Sequence, residues 1–336
     1  MDGTTANNRH VLVIGGAGYV GSVLVRILLG KKYKVRVVDQ FLYRNSLSLE
    51  SVFDEENFSF VHGNMADPAV MDRALAGVTD VVLLASLVGD PISKKYPELT
   101  RRVNLDASQQ LFQQLRDRGI GHFVFTSTCS NYGLLPQDET ANEQTELTPL
   151  SIYAETKVAM EEFILTAAET GFAPTVLRIA TAYGLSPRMR FDLTVNEFVY
   201  NLASGKPLEV YDKDTWRPYC HLRDISAAII RVLESDQAVV ANEVFNVGSD
   251  ENNFTKAMLV DEILKHIDGD VSFVDGSNDP RNYRVSFEKI HSTLDFSPGH
   301  SVKTYIPELI SAVQSGLFLR EPEIPGYYGN YEITEE

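Results

Sequence analysis

HVLVIGGAGYVGSVLVRILLG, residues 10–30, runs from an apolar stretch through a glycine-rich turn into a segment with apolar residues at helical spacing. Gly15, Gly18 and Gly21 recur at every third position. Glycine there allows a tight turn and close approach of a ligand to the backbone. The helix that follows offers unpaired N–H groups and the positive end of its dipole. The next apolar run, YKVRVVD, closes on Asp39. A strand, a glycine turn, a helix and a second strand ending in an acid form the context in which such a turn cradles the pyrophosphate of a dinucleotide, the acid accepting from the ribose hydroxyls. A 2′-phosphate beside Asp39 would bring like charges together, at about 4 kcal/mol for a separation of about 4 Å and an effective dielectric near 20. NAD is therefore expected over NADP, with Arg44 the nearby cation that would erode the preference.

Outward from this stretch the rhythm continues. NFSFVHG, DVVLLAS, HFVFTS and PTVLRIA are short apolar runs alternating with helical-period segments. Near-continuous apolar strands are buried on both faces, which means a parallel sheet built from βαβ units. The fold class expected is α/β, a Rossmann-type doubly wound parallel sheet with a smaller mixed substrate-binding lobe. The sheet unit is assigned to 9–183 and 222–247, the lobe to 184–221 and 248–320, and a tail to 321–336, whose role the sequence does not reveal.

Composition narrows the function. The chain has 336 residues, 44% of them hydrophobic, and 30 basic against 46 acidic residues for a net charge of −16. Such a balance disfavours nucleic acid and anionic membranes as partners. With no 18-residue apolar stretch and no charged segment followed by an apolar one at the start, the chain is expected to be soluble and cytoplasmic. Cys129 and Cys220 stand far apart without metal-ligand spacing, so neither a disulfide nor a metal is expected.

Two segments carry chemistry. In SIYAETK, Tyr153 and Lys157 stand at i and i+4 and share a helix face. An ammonium beside a phenol favours phenolate and so makes a usable base. FVFTSTCSNYG, residues 123–133, sets hydroxyls and a thiol at the end of a strand. Read alone, that cluster fits a nucleophile, half a metal site, part of a proton relay or a merely polar strand end.

GGAGYVG, Asp39, GNMAD, LLASLVGD, RRVNLDAS, FTSTCSNYG, SIYAETK, LRIATAYG and RPYCHLRD together make the chain resemble the extended short-chain dehydrogenase/reductases, in particular the NAD-dependent epimerase/dehydratase family acting on nucleotide sugars. The resemblance implies a relay of Thr128, Tyr153 and Lys157, with Thr128 holding the substrate hydroxyl that Tyr153 deprotonates. Along the cofactor it places Gly15, Gly18, Tyr19, Val20, Asp39, Asn64, Met65, Leu84, Ala85, Ser86 and Asn104, beside Tyr153 and Lys157. Asn64 stands where relatives usually carry an Asp. For the substrate it implies Cys129, Ser130, Thr181, Asn196, Arg217 and Arg281, with Arg284 competing for the last role. A guanidinium fork suits paired phosphate oxygens.

Sugar 4,6-dehydratases of this family carry an Asp–Glu pair after the Thr, and Cys129 and Ser130 occupy those places here. Elimination is thus not expected, and what remains is redox at one sugar carbon, C4 above all, as an epimerase or a net dehydrogenase or ketoreductase. Cys129 reads either as a base or as a small buried residue. Arg188 and Arg190 read either as phosphate ligands or as solvated loop cations, and His221 as a structural histidine. Two other functions stand beside the sugar enzyme: a non-catalytic NAD-binding regulator and a reductase of a non-sugar ketone or alcohol. A homodimer is expected from the frequency of twofold assemblies.

Overall fold

The computed structural model describes residues 9–136, 138–167, 171–276, 279, 281–318 and 326–333. Residues 1–8 and the tail positions 321–325 and 334–336 lie outside the described residues. Among the described residues twelve strands run in chain order: β1 His10–Ile14, β2 Lys34–Asp39, β3 Phe58–His62, β4 Asp80–Leu83, β5 His122–Thr128, β6 Ala173–Ile179, β7 Thr181–Tyr183, β8 Leu208–Tyr211, β9 Trp216–His221, β10 Glu243–Val247, β11 Asn253–Thr255 and β12 Val271–Val274.

Seven of these strands form one parallel sheet in the order β10-β6-β5-β4-β1-β2-β3. Successive residues of β1 serve opposite faces: Val11 and Val13 join one core, Leu12 and Ile14 the other. Helix Gly21–Gly30 covers the first face through Leu24, Val25 and Leu28, together with Ile225 and Ile229 of helix Leu222–Glu234. The second face is covered by Leu111 and Phe112 of helix Ala107–Gln114 and by Met160 and Ile164 of helix Ile152–Thr166. Burial from both sides explains the unbroken apolar runs.

Ladder direction aligns the carboxyl ends of all seven strands. Ile14 pairs with both Val38 and Leu83, and Thr128 pairs with Ile179. The chain order reverses between β1 and β4, leaving a crevice at that edge where α/β sheets bind ligands. Thr181–Tyr183, assigned from sequence to the sheet unit, pairs instead with β9 in a mixed three-stranded sheet, β11-β9-β7. β8 and β12 make a parallel pair nearby. Among the described residues no helix is long and apolar enough to cross a membrane.

Candidate active site

A cavity of about 400 Å³ follows the carboxyl ends of the sheet from Asp39 to Tyr153 and Lys157. Its floor is the glycine turn. Gly15 holds φ +86°, and a Cβ there would stand 2.6 Å from the backbone nitrogen of Ala85, so neither the conformation nor the space admits a side chain. One built on Gly21 would come within 2.7 Å of Gly16 Cα. Asp39 braces the turn: its carboxylate accepts from Ala17 N at 3.0 Å and from Phe41 N at 2.8 Å. Burial pushes this carboxyl up, against the pull of those N–H groups.

Gly18, Tyr19, Val20, Asn64, Met65, Leu84, Ala85 and Ser86 all line the cavity, as the sequence reading expects. Asn64 spends its oxygen on Ala66 N at 2.9 Å. Arg44 is exposed and does not line the cavity. The Tyr43 hydroxyl, Asn45 Oδ1 and Ser86 Oγ are buried in this wall without a partner among the described residues. An unmet buried polar atom costs about 1–3 kcal/mol. Two hydroxyl donors and an amide acceptor, beside a bare glycine floor, suit the phosphate oxygens and ribose hydroxyls of a dinucleotide. The residues fit NAD.

Beyond the turn stands the relay. Ser151 caps the helix that carries it, accepting from Ala154 N at 3.3 Å, so Tyr153 and Lys157 project side by side one turn apart. Thr128 ends β5. Its hydroxyl accepts from Ser130 N at 3.1 Å and is bonded to the Tyr153 hydroxyl. Lys157 donates to the Thr126 carbonyl at 2.7 Å, its nitrogen 5.9 Å from the Tyr153 ring centre. The three residues are brought together as expected, but the electrostatics differ from the sequence expectation. Burial pushes the phenol up to about 12, with Thr128 pulling the other way, and burial lowers the Lys157 ammonium to about 7, opposed by Glu161. In so dry a site desolvation penalises phenolate and ammonium alike, and it outweighs their mutual help.

A buried network fixes these parts relative to one another. Glu161, one turn past Lys157, takes a two-pronged bond from Arg178 of β6 at 2.8 and 3.0 Å, a bond from Asn131 at 2.8 Å and a short one from Ser127. Arg178 also donates to the Tyr132 hydroxyl at 3.0 Å. Strand end, turn and helix are thus tied through one carboxylate.

Ser130, Thr181 and Arg281 line the far half of the cavity. Arg281 is held by Asp279 at 2.7 and 2.8 Å and by Asp90 at 3.2 Å. Four expected ligands do not reach the cavity. Cys129 is buried and gives its thiol hydrogen to the Arg178 carbonyl at 3.2 Å, and burial pushes the thiol up, so it is core and not base. Asn104, in the π-helical turn Arg102–Asp106, grips the backbone of Leu87 at 2.8 and 3.1 Å and so positions the loop after β4 instead of touching ligand. Asn196 donates to the Tyr19 hydroxyl at 2.7 Å and to the Arg190 carbonyl at 2.9 Å while accepting from Tyr305, and its amide is fully enclosed. Arg217 donates to the backbone of Trp216 at 2.8 Å and of Arg281, and to Asp279 at 3.1 Å, supporting the segment that presents Arg281. Arg284 lies over the Trp216 ring, outside the cavity lining.

Arg188 and Arg190 prove to be buried wall residues, not solvated cations. Arg190 forks onto Asp192 at 2.9 and 2.6 Å, whereas Arg188 has carbonyls of Met189 and Gly329 and the Asn330 amide oxygen as partners. Burial, then Arg190, lowers Arg188 to about 10. Asn330 and Tyr331 from the tail also line the cavity, as do Asp90 and Asp192; none of the four was among the expected site residues. His221 accepts from Arg223 N at 3.2 Å and stacks on His300, whose Nδ1 meets Asp224 at 2.9 Å, a group satisfied internally and by backbone.

The model of the NAD dependent epimerase/dehydratase family matches residues 11–248. A UDP-glucose 4-epimerase of Corynebacterium glutamicum is 28% identical over 327 residues, 91% of this chain and 96% of its own. The solved UDP-glucose 4-epimerase of Thermotoga maritima with UDP-glucose is 25% identical, with a TM-score of 0.80 over 92% of this chain and 100% of its own. DesIV, the dTDP-glucose 4,6-dehydratase of Streptomyces venezuelae solved with NAD and TYD, is 27% identical, with a TM-score of 0.80 over 91% of this chain and 97% of its own. Epimerase and dehydratase are equally good neighbours, so they agree on the frame and not on the reaction. With the glycine turn, the acid that ends β2 and the grouping of Thr128, Tyr153 and Lys157 on one such frame, the chain belongs to the NAD-dependent epimerase/dehydratase family, whose members here include nucleotide-sugar enzymes.

Proposed function

We propose that the protein is an NAD-dependent epimerase of a nucleotide-activated sugar, acting at C4 through a keto form and without loss of water. The observation that carries this reading is the environment of Thr128: the relay is complete, yet the two residues after Thr128 are Cys129 and Ser130, the first enclosed and the second a neutral hydroxyl 3.2 Å from the Tyr283 hydroxyl. Elimination needs an acid and a base beyond the relay. Of the carboxylates that line the cavity, Asp39 is bonded to backbone N–H groups and Asp192 to Arg190, while Asp90 gives one oxygen to Arg281 and leaves its buried Oδ1 without a partner among the described residues.

When bound, NAD supplies the acceptor for the hydrogen and electron pair that leave the sugar carbon. Thr128 orients the hydroxyl on that carbon, and Tyr153 takes its proton as the ketone forms. Lys157 donates to the Thr126 carbonyl at 2.7 Å, which fixes its amine one turn from the phenol. Return of hydrogen to the opposite face inverts the carbon, and Tyr153 gives the proton back to the oxygen. Arg281 at the far end suits the diphosphate of the sugar nucleotide by its fork geometry.

Mass spectrometry and chromatography of UDP- and dTDP-hexoses after incubation test this. An isomer of unchanged mass is expected. A product lighter by one water would overturn the reading and point to a dehydratase whose acid and base lie elsewhere.

A further inference from the structure

We infer that residues 326–333 form a clasp over the dinucleotide, which must open for the cofactor to leave. The segment is anchored at both ends. Near its start, Phe191 N donates to the Tyr328 carbonyl at 2.7 Å, and the Phe191 and Tyr328 rings meet edge to face at 5.2 Å. Near its end, Ile333 is 8% exposed and packs with Leu87 and Ile92, on a patch that Leu42 and Tyr43 complete. Between the anchors Arg188 donates to the Gly329 carbonyl at 3.0 Å and to Asn330 Oδ1 at 3.1 Å, and Asn330 N donates to Asp192 at 3.3 Å. The Lys95–Glu332 pair at 3.0 Å is exposed and adds little.

Topology says what lies beneath. Leu42 and Tyr43 follow β2, and Leu87 and Ile92 follow β4; in the sheet these two strands flank β1 and its glycine turn. A ligand stretching from Asp39 to the relay must pass between those two loops, with Gly15 and Gly18 below and the segment ending in Ile333 above. Ser130 and Thr181, by contrast, follow β5 and β6 on the other side of β4, and Arg281 comes after β12, outside this sheet. The clasp therefore bars the exit of the dinucleotide while leaving the sugar end to exchange. A cofactor held through many turnovers suits a reaction that returns it unchanged, whereas net oxidation requires its release each time. The inference rests on the dinucleotide site and not on the sugar chemistry.

The test uses the full chain, a chain ending at residue 325, and Ile333→Ala, each loaded with NADH. The readout is the release of nicotinamide fluorescence on chase with excess NAD, with the thermal midpoint of each chain as control. Release is expected to speed up by about tenfold or more, the change that 1.4 kcal/mol brings, in both variants. Should truncation prevent folding, Ile333→Ala decides alone. Release within about twofold of the full chain in a folded variant overturns the clasp. Failure of the full chain to bind NADH overturns it as well. A full chain that holds NADH tightly but isomerises no nucleotide sugar leaves the clasp standing and removes only the proposed reaction.

Discussion

Lys157→Met removes a buried amine while keeping the length and apolar stem of the side chain. Lys157 is 3% exposed, and burial lowers its pKa from 10.5 to about 7. At 1.36 kcal/mol per pH unit the drop corresponds to about 5 kcal/mol that the fold forgoes when it must bury the ammonium. The sign follows from proton counting. The folded amine titrates below the unfolded one, so between about pH 7 and 10.5 the unfolded chain carries the extra proton, and stability rises with pH across that window. Below about pH 7 both states are protonated and the cost is constant. Methionine abolishes that slope and forfeits the bond to the Thr126 carbonyl, worth about 1 kcal/mol. The variant should therefore be more stable than the parent by about 3–4 kcal/mol near neutrality, an advantage that fades as pH approaches 10.5. Urea unfolding of both chains across the window measures it. A stability difference that does not change with pH, or a variant weaker at neutrality, would refute the account of Lys157 as a desolvated amine held in place for chemistry at a cost to the fold.

Other outcomes follow from the same geometry. Tyr153→Phe keeps the ring and removes the proton acceptor, so nucleotide-sugar binding should survive while turnover falls about 10²- to 10⁴-fold; calorimetry and a product assay on the same preparation check this. Glu161→Gln strips the counter-charge from Arg178, and breaking a buried pair of this kind costs about 3–5 kcal/mol, readable as a drop in denaturant midpoint. Titration with both dinucleotides should show NAD(H) bound ahead of NADP(H), because Asp39 stands half-buried at the end of β2, lining the cavity, with the Arg44 side chain turned to solvent; equal affinity would contradict the role given to Asp39.

Much of the fold is legible in the sequence. The apolar runs from HVLVIG to PTVLRIA specify the sheet because burial on two faces leaves no room for alternation, and a glycine turn between strand and helix marks the ligand edge. Tyr153 and Lys157 are legible because helical spacing puts them on one face, whereas the strand-end cluster read alone stays open and only the family resemblance singles out Thr128. The misplaced residues are those whose role depends on long-range packing. Asn196 and Arg217 sit in the irregular lobe, where no periodicity tells which face is inside, and there their polar ends are consumed by Tyr19, Tyr305 and Asp279. Arg188 looked like a loop cation because its partners, Gly329 and Asn330, lie far along the chain. The tail carries no motif at all, and only its docking against Phe191 and Leu87 gives it meaning. The direction of the pKa shifts was missed for a similar reason, since i, i+4 spacing reveals a neighbouring charge but not the dryness around it.

The central claim is internal redox at C4 without elimination, and a nucleotide hexose labelled with deuterium at C4 tests it most directly. The isomerised product is expected to keep the deuterium at C4, with none lost to water, because the hydrogen leaves to the bound cofactor and returns from it while Tyr153 handles only the hydroxyl proton. Loss of the label to solvent, or a dehydrated product, would contradict it.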